Sequence, residues 1–107
     1  MIVNLNQDNF QEFIQSNSPV LVDFWATWCP PCMKQGEILH AINQDNAAFK
    51  IGKVNVDDYR DLAVKFGIAN IPTMILFQNG EILETIVGLR NASQVLELFK
   101  KYGAYET

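Results

Sequence analysis

The sequence predicts an α/β fold in which a mixed sheet carries helices on both faces. Three observations lead there. Residues 19–25, with Val20, Leu21, Val22, Phe24 and Trp25, form a near-continuous apolar run, as in a strand covered on both sides. Helical and extended patterns alternate through the first two-thirds of the chain, which implies β-α-β connection. Two apolar stretches near the end flank Gln78-Asn79-Gly80, and Asn-Gly marks a tight hairpin.

The elements follow in order. Asp8 is placed to cap a first helix whose Phe10, Phe13 and Ile14 share one face, and Pro19 ends it. The buried strand over 19–25 comes next. Residues 31–48 read as a longer helix with Ile38, Leu39 and Ile42 as its inner stripe. A strand over 51–56 is followed by a short helix over 60–66 that Gly67 closes. Strands over 74–77 and 81–87 make the hairpin. Ser93 is placed to cap a last helix that turns Val95, Leu96 and Phe99 inward. No repeat, linker or low-complexity stretch interrupts this order, so residues 1–107 are expected to be one domain.

Composition narrows the function classes. Hydrophobic residues make up 49% of the 107 positions and charged residues 19%, a globular balance. Eight Lys and Arg against twelve Asp and Glu give a net charge of −4, and Lys100-Lys101 is the only adjacent basic pair. Such a chain lacks the footprint for phosphate backbones or anionic membranes, so neither nucleic acid nor membrane is an expected partner. No apolar run reaches transmembrane length. Residues 1–6 have neither a basic region nor a long apolar core and do not read as a signal peptide. The expected location is cytoplasmic, unless a targeting segment is missing from the sequence, and the expected state is a monomer.

The chemistry is concentrated in Trp28-Cys29-Pro30-Pro31-Cys32, at the junction of the buried strand and the long helix. Proline suits the first helical turn, where its absent N–H would have no partner. The helix therefore starts at Pro30 or Pro31, with Cys29 at the N-cap or just outside. A thiolate there lies at the positive end of the helix dipole, which lowers its pKa and makes it the nucleophile. Cys32, one turn on and more buried, lies within disulfide reach and resolves. Three blander roles fit less well. A zinc site wants four ligands, and His40 is the only other imidazole or thiol candidate, so no metal is expected. A structural disulfide closing so short a loop constrains almost nothing in the unfolded chain. Two inert buried cysteines do not call for a double proline at a strand-to-helix junction.

In this setting the motif resembles the thioredoxin family. Val22-Asp23-Phe24-Trp25-Ala26-Thr27-Trp28-Cys29 is similar to that family's active-site strand, and Lys53-Val54-Asn55-Val56-Asp57 to its next strand. Phe66-Gly67-Ile68, followed by Ile71-Pro72-Thr73, resembles the segment carrying the family's cis-proline. Phe77-Gln78-Asn79-Gly80-Glu81 and Val87-Gly88 match the closing hairpin. The resemblance spans essentially the whole chain. It implies a thioredoxin fold with a central mixed sheet of four to five strands and about four helices. Two positions depart from the pattern: Pro30 stands where thioredoxins usually carry glycine, and Glu37 where they commonly carry a kinking proline. The first bears on the reduction potential. The second, beside Gly36, implies an altered helix geometry.

The resemblance also implies roles for supporting residues. Asp23 interrupts an apolar strand, where burial raises a carboxyl pKa. In the family it is a buried acid beneath the resolving cysteine, taking its proton through a water. The alternative is a structural carboxylate. Lys53 on the neighbouring strand is the family's partner for this aspartate. An X-Pro bond is usually trans, but the resemblance makes Ile71-Pro72 cis and faces it to the cysteines. The backbone of Ile71 would then pair with an extended substrate, with Trp28 and Gly88 completing a shallow apolar groove. Trp25 could serve site or core, and His40 reads as a helix-surface residue.

The expected function is protein-disulfide reduction by dithiol-disulfide exchange, without a prosthetic group. Its expected partners are disulfide-containing proteins and, by resemblance, a thioredoxin reductase that recycles it. Two other readings share the fold: an oxidant or isomerase for exported proteins, and a non-catalytic binding module whose cysteines are incidental.

Overall fold

Alternation of apolar side chains along the strands decides which helix covers which face. The structure, a computed structural model, describes residues 2–103. The elements run β1 (Ile2–Asn4), α1 (Phe10–Ile14), β2 (Val20–Trp25), α2 (Pro30–Asp45), β3 (Lys50–Asn55), α3 (Arg60–Lys65), β4 (Thr73–Gln78), β5 (Glu81–Val87) and α4 (Ala92–Lys101). The sheet order is β1-β3-β2-β4-β5, with β1, β3 and β2 parallel and β4 and β5 antiparallel to their neighbours. The mixed sheet and the thioredoxin fold are therefore as expected, at the five-strand end of the range.

Val20, Val22 and Phe24 of β2 point to one face, where α1 and α3 bring Phe10, Ile14 and Leu62. Leu21 points to the other, where α2 and α4 bring Leu39, Ile42, Val95 and Phe99. Period two in the strands and the helical stripes thus build two cores on one sheet. Each fully buried Leu or Phe contributes roughly 1.5–3 kcal/mol by leaving water. The hairpin turn has Asn79 at φ 54° and Gly80 at φ 79°, both in the left-handed region. This is the primed turn that suits two twisted strands, and it is why Asn-Gly stands there.

Three local expectations need correction. Asp8 does not cap α1: the N-cap is Asn9, and Asn6 Oδ1 accepts from the N–H groups of Asp8 and Asn9. Ser93 does not cap α4, because Asn91 does, through a reciprocal pair with Gln94. An Asn-x-x-Gln box satisfies two free donors at once, which a serine inside the first turn cannot do. The long helix ends at Asp45 rather than 48, where the Asn46 side chain and backbone N–H both bond the carbonyl of Ile42. β1 is an addition to the expected elements. Three residues carry too little periodicity to read, and the strand forms by pairing with β3.

Candidate active site

β2 and α2 are joined by residues 26–29, and the C-terminal end of β2 meets the N-terminal end of α2. Cys29 is the N-cap of α2, with Pro30 and Pro31 at the first two helical positions. Its Sγ accepts from Cys32 N–H at 3.2 Å. The two prolines offer no N–H, so this is the donor the cap geometry leaves in the first turn. Cys29 and Cys32 are joined as a disulfide with their Cα atoms 5.2 Å apart. The structure is thus the oxidised form. Both cysteines are nearly covered, Cys29 at 4% exposure and Cys32 at 1%, packed with Ala26 and against Trp25, Val56 and Ile71. Accessibility separates them less than expected. What distinguishes Cys29 is the backbone donor aimed at its sulfur.

β4 runs antiparallel to β2, so its start faces the end of β2, with Thr73 opposite Phe24. That register brings Ile71-Pro72 beside the disulfide, and the peptide bond is cis. The Ile71 carbonyl lies 3.9 Å from Cys29 Sγ. Gly88, at φ 95°, donates its N–H to the Pro72 carbonyl at 2.8 Å. Trp28 is 67% exposed, and its indole N–H donates to Asp57 Oδ2 at 2.8 Å. A shallow groove beside it is lined by Thr27, Trp28, Pro30, Met33, Lys34 and Glu37. Sulfur pair, cis-proline loop, Trp28 and Gly88 therefore share one end of the sheet.

Within the same strand β2, Asp23 shares the α2 side of the sheet with Leu21. It is fully buried, and among the described residues neither carboxylate oxygen has a hydrogen-bond partner. Burial pushes its pKa from 3.8 up to about 7, and the nearby Lys53 charge pulls the other way. Lys53 is Asp23's neighbour in the β2–β3 register. Among the described residues no contact ion pair closes between them. The ammonium sits 4.3 Å over the Trp25 ring instead. Half-buried Trp25 thus serves both roles: it packs against the cysteine cluster and seats the lysine.

α2 runs unbroken through Gly36 and Glu37, and exposed Glu37 pairs with Lys34 at 3.8 Å. A Cβ at Gly36 would stand 3.3 Å from Lys53 Nζ, so glycine lets the lysine pass close under the helix. His40 is exposed, and its ring Nε2 lies 3.3 Å from Gln44 Nε2 on the next turn. Among the described residues no group of three His, Cys, Asp or Glu side chains could hold a metal ion. No helix among them is long and apolar enough to cross a membrane.

Two residues here escape a reading of the sequence. Asp57 reads there only as a strand end, not as the partner of Trp28. Gln35 is fully buried, and its signal is a polar side chain in the inner stripe of Cys32, Leu39 and Ile42.

Comparison with known proteins gives one family. The family model described as Thioredoxin matches residues 1–101. A thioredoxin of Rickettsia bellii is 40% identical over 99 residues, covering 91% of this chain and 94% of that protein. Thioredoxin C-2 of Corynebacterium nephridii is 41% identical over 96 residues, with coverages of 88% and 89%. Among solved structures, a mutant thioredoxin from Halobacterium salinarum superposes with a TM-score of 0.86 at 28% identity, over 94% of this chain and 89% of that one.

Proposed function

The chain belongs to the thioredoxin family and is a protein-disulfide reductase acting through its Cys29–Cys32 pair, and on that premise we propose how the pair divides the work. The observation that carries the proposal is the cap: Cys29 Sγ sits at the N-terminus of a 16-residue helix and accepts a backbone N–H there. Reduced, that sulfur is the thiolate, because dipole and donor favour its charge. It attacks one sulfur of a substrate disulfide. The substrate S–S bond breaks, a Cys29–substrate mixed disulfide forms, and the departing substrate thiolate takes up a proton. Cys32 then loses its proton and attacks Cys29 Sγ. The second substrate thiol leaves, and the Cys29–Cys32 bond closes. Two electrons pass from the pair to the substrate, and no prosthetic group takes part.

Asp23 is the proposed acceptor of the Cys32 proton, through a bridging water. A carboxyl held near 7 is poised to take and return a proton at neutral pH, whereas an ordinary one would stay ionised. Lys53 tunes it at a distance. Ile71, cis-Pro72, Trp28 and Gly88 form the proposed substrate groove, in which the Ile71 backbone pairs with an extended segment. Pro30 and Pro31 set the cap geometry. A separate thioredoxin reductase restores the dithiol. The proposed setting is cytoplasmic, with residues 1–107 acting as one monomeric domain.

The test is trapping. Cys32→Ser should accumulate a stable mixed disulfide with a protein substrate such as insulin, and Cys29→Ser should accumulate none and lose turnover. Iodoacetamide at mildly acidic pH should modify Cys29 much faster than Cys32 in the reduced protein. Equal modification of the two thiols would overturn the assignment.

A further inference from the structure

One buried polar side chain takes no part in these steps. Gln35 is fully covered, one turn beyond Cys32 on the inner side of α2. A buried amide left unpaired forfeits its bonds to water and gains nothing in return. Here both ends are satisfied by a single residue. Arg90 N–H donates to Gln35 Oε1 at 2.8 Å, and Gln35 Nε2 donates to the Arg90 carbonyl at 3.1 Å. Arg90 lies in the link between β5 and α4, residues 88–91. The start of that link is tied to the cis-proline loop, through Gly88 N–H and the Pro72 carbonyl. Its end is tied into α4 by the reciprocal pair of Asn91 and Gln94. The middle of the link is tied to the helix that carries both cysteines, and Gln35 is that tie.

We infer that Gln35 is a positioning residue for protein substrates: its amide holds the 88–91 link against α2, so that Gly88 and exposed Leu89 meet an extended polypeptide in a preset geometry beside Cys29. This rests on the proposed groove and adds the element that keeps it open and in place. The chemistry of the side chain is specific. A carboxamide offers one acceptor and one donor, the complement of a peptide's N–H and C=O. Methionine has similar length and offers neither. A glutamate keeps the acceptor but sets a second oxygen against the Arg90 carbonyl. Both hydrogen bonds of the Gln35 side chain go to the Arg90 backbone and neither goes to a sulfur, so exchange with a substrate too small to span the groove should not depend on it.

The experiment compares two oxidants of the pre-reduced protein. Insulin spans the groove, and cystamine, a small disulfide, does not. Gln35→Met and Gln35→Glu should each raise the half-saturating insulin concentration about tenfold, equivalent to roughly 1.4 kcal/mol, with the limiting rate and the cystamine rate constant within about twofold of the parent. In the parent protein, Arg90 N–H should exchange with solvent more slowly than Leu89 N–H. A fast Arg90 amide would overturn the inference without any variant. So would a parallel loss toward insulin and cystamine, which would place the effect on the sulfurs. If both variants are silent while Trp28→Ala raises the insulin half-saturation, the groove stands and the role of Gln35 falls. If Trp28→Ala is silent too, the groove reading fails and takes this inference with it.

Discussion

On the α1–α3 side of the sheet, rings meet rings. Phe10 lies 5.4 Å from Phe66 and 5.9 Å, edge-on, from Phe77, while Phe66 and Phe77 are 5.4 Å apart. On the α2–α4 side, the same β2 strand that supplies Val22 and Phe24 to those rings buries Asp23 without a partner. α2 buries Gln35 and Asn43 there as well. Both faces carry a buried apolar core, and on the α2–α4 side Phe49 stacks on Phe99 at 4.3 Å, yet that side alone also takes in the fully buried Asp23 carboxyl. The ring face supplies stability that does not change with pH, and it offsets a charge-bearing face whose energy depends on proton occupancy.

Substitutions on opposite faces should therefore behave differently, and the largest effect on stability is expected from the rings. Phe77→Ala should destabilise by about 3–5 kcal/mol, the usual range for removing a buried phenylalanine, as read by denaturant unfolding. It should leave the Asp23 titration in place. A shift in that titration would show that the faces are coupled through the sheet and break the comparison.

Asp23→Asn comes next and has the opposite sign. The folded pKa is raised from 3.8 to about 7, so the folded state holds a proton that the unfolded state releases between those values. Stability from this group is fully present below the unfolded value, declines as pH rises through the window, and is lost above about 7. The penalty at high pH is bounded by roughly 4 kcal/mol, from about 1.4 kcal/mol per unit. Asp23→Asn should therefore be more stable than the parent at about pH 8 and close to it near pH 4, where the parent carboxyl is protonated. It should also slow resolution of the mixed disulfide more than its formation. A stability difference that does not vary with pH would remove the carboxyl as its cause.

The smallest expected effect is at Lys53. Its charge lowers the Asp23 pKa against the larger push of burial, so Lys53→Met should move the carboxyl titration further up. Carboxyl NMR of Asp23 reads this directly. No movement would mean that the ammonium over Trp25 is too well solvated to reach the carboxyl, and would sharpen the comparison to Asp23 alone.

The sequence by itself determined whatever depends on neighbours along the chain. Near-continuous apolar runs selected β2 and β4, Asn79-Gly80 selected the hairpin turn, and two prolines after Cys29 placed that residue at a helix N-cap. Each is a short-range rule of backbone sterics or side-chain alternation, so each is legible without a fold. Asp23 was also legible, because a carboxylate in an apolar strand is conspicuous wherever the strand goes. Tertiary structure decided the pairings between distant positions. Gln35 and Arg90 are 55 residues apart and Trp28 and Asp57 are 29 apart, and nothing local in either pair announces the other. β1 exists because β3 lies beside it, and Asn91 rather than Ser93 caps α4 because that is where β5 delivers the chain. The same holds for Lys53, whose ammonium settled on Trp25, beneath a glycine in α2, instead of closing on Asp23. A polar group finds its partner only after burial has chosen its neighbours, and that choice is made by packing across the whole sheet.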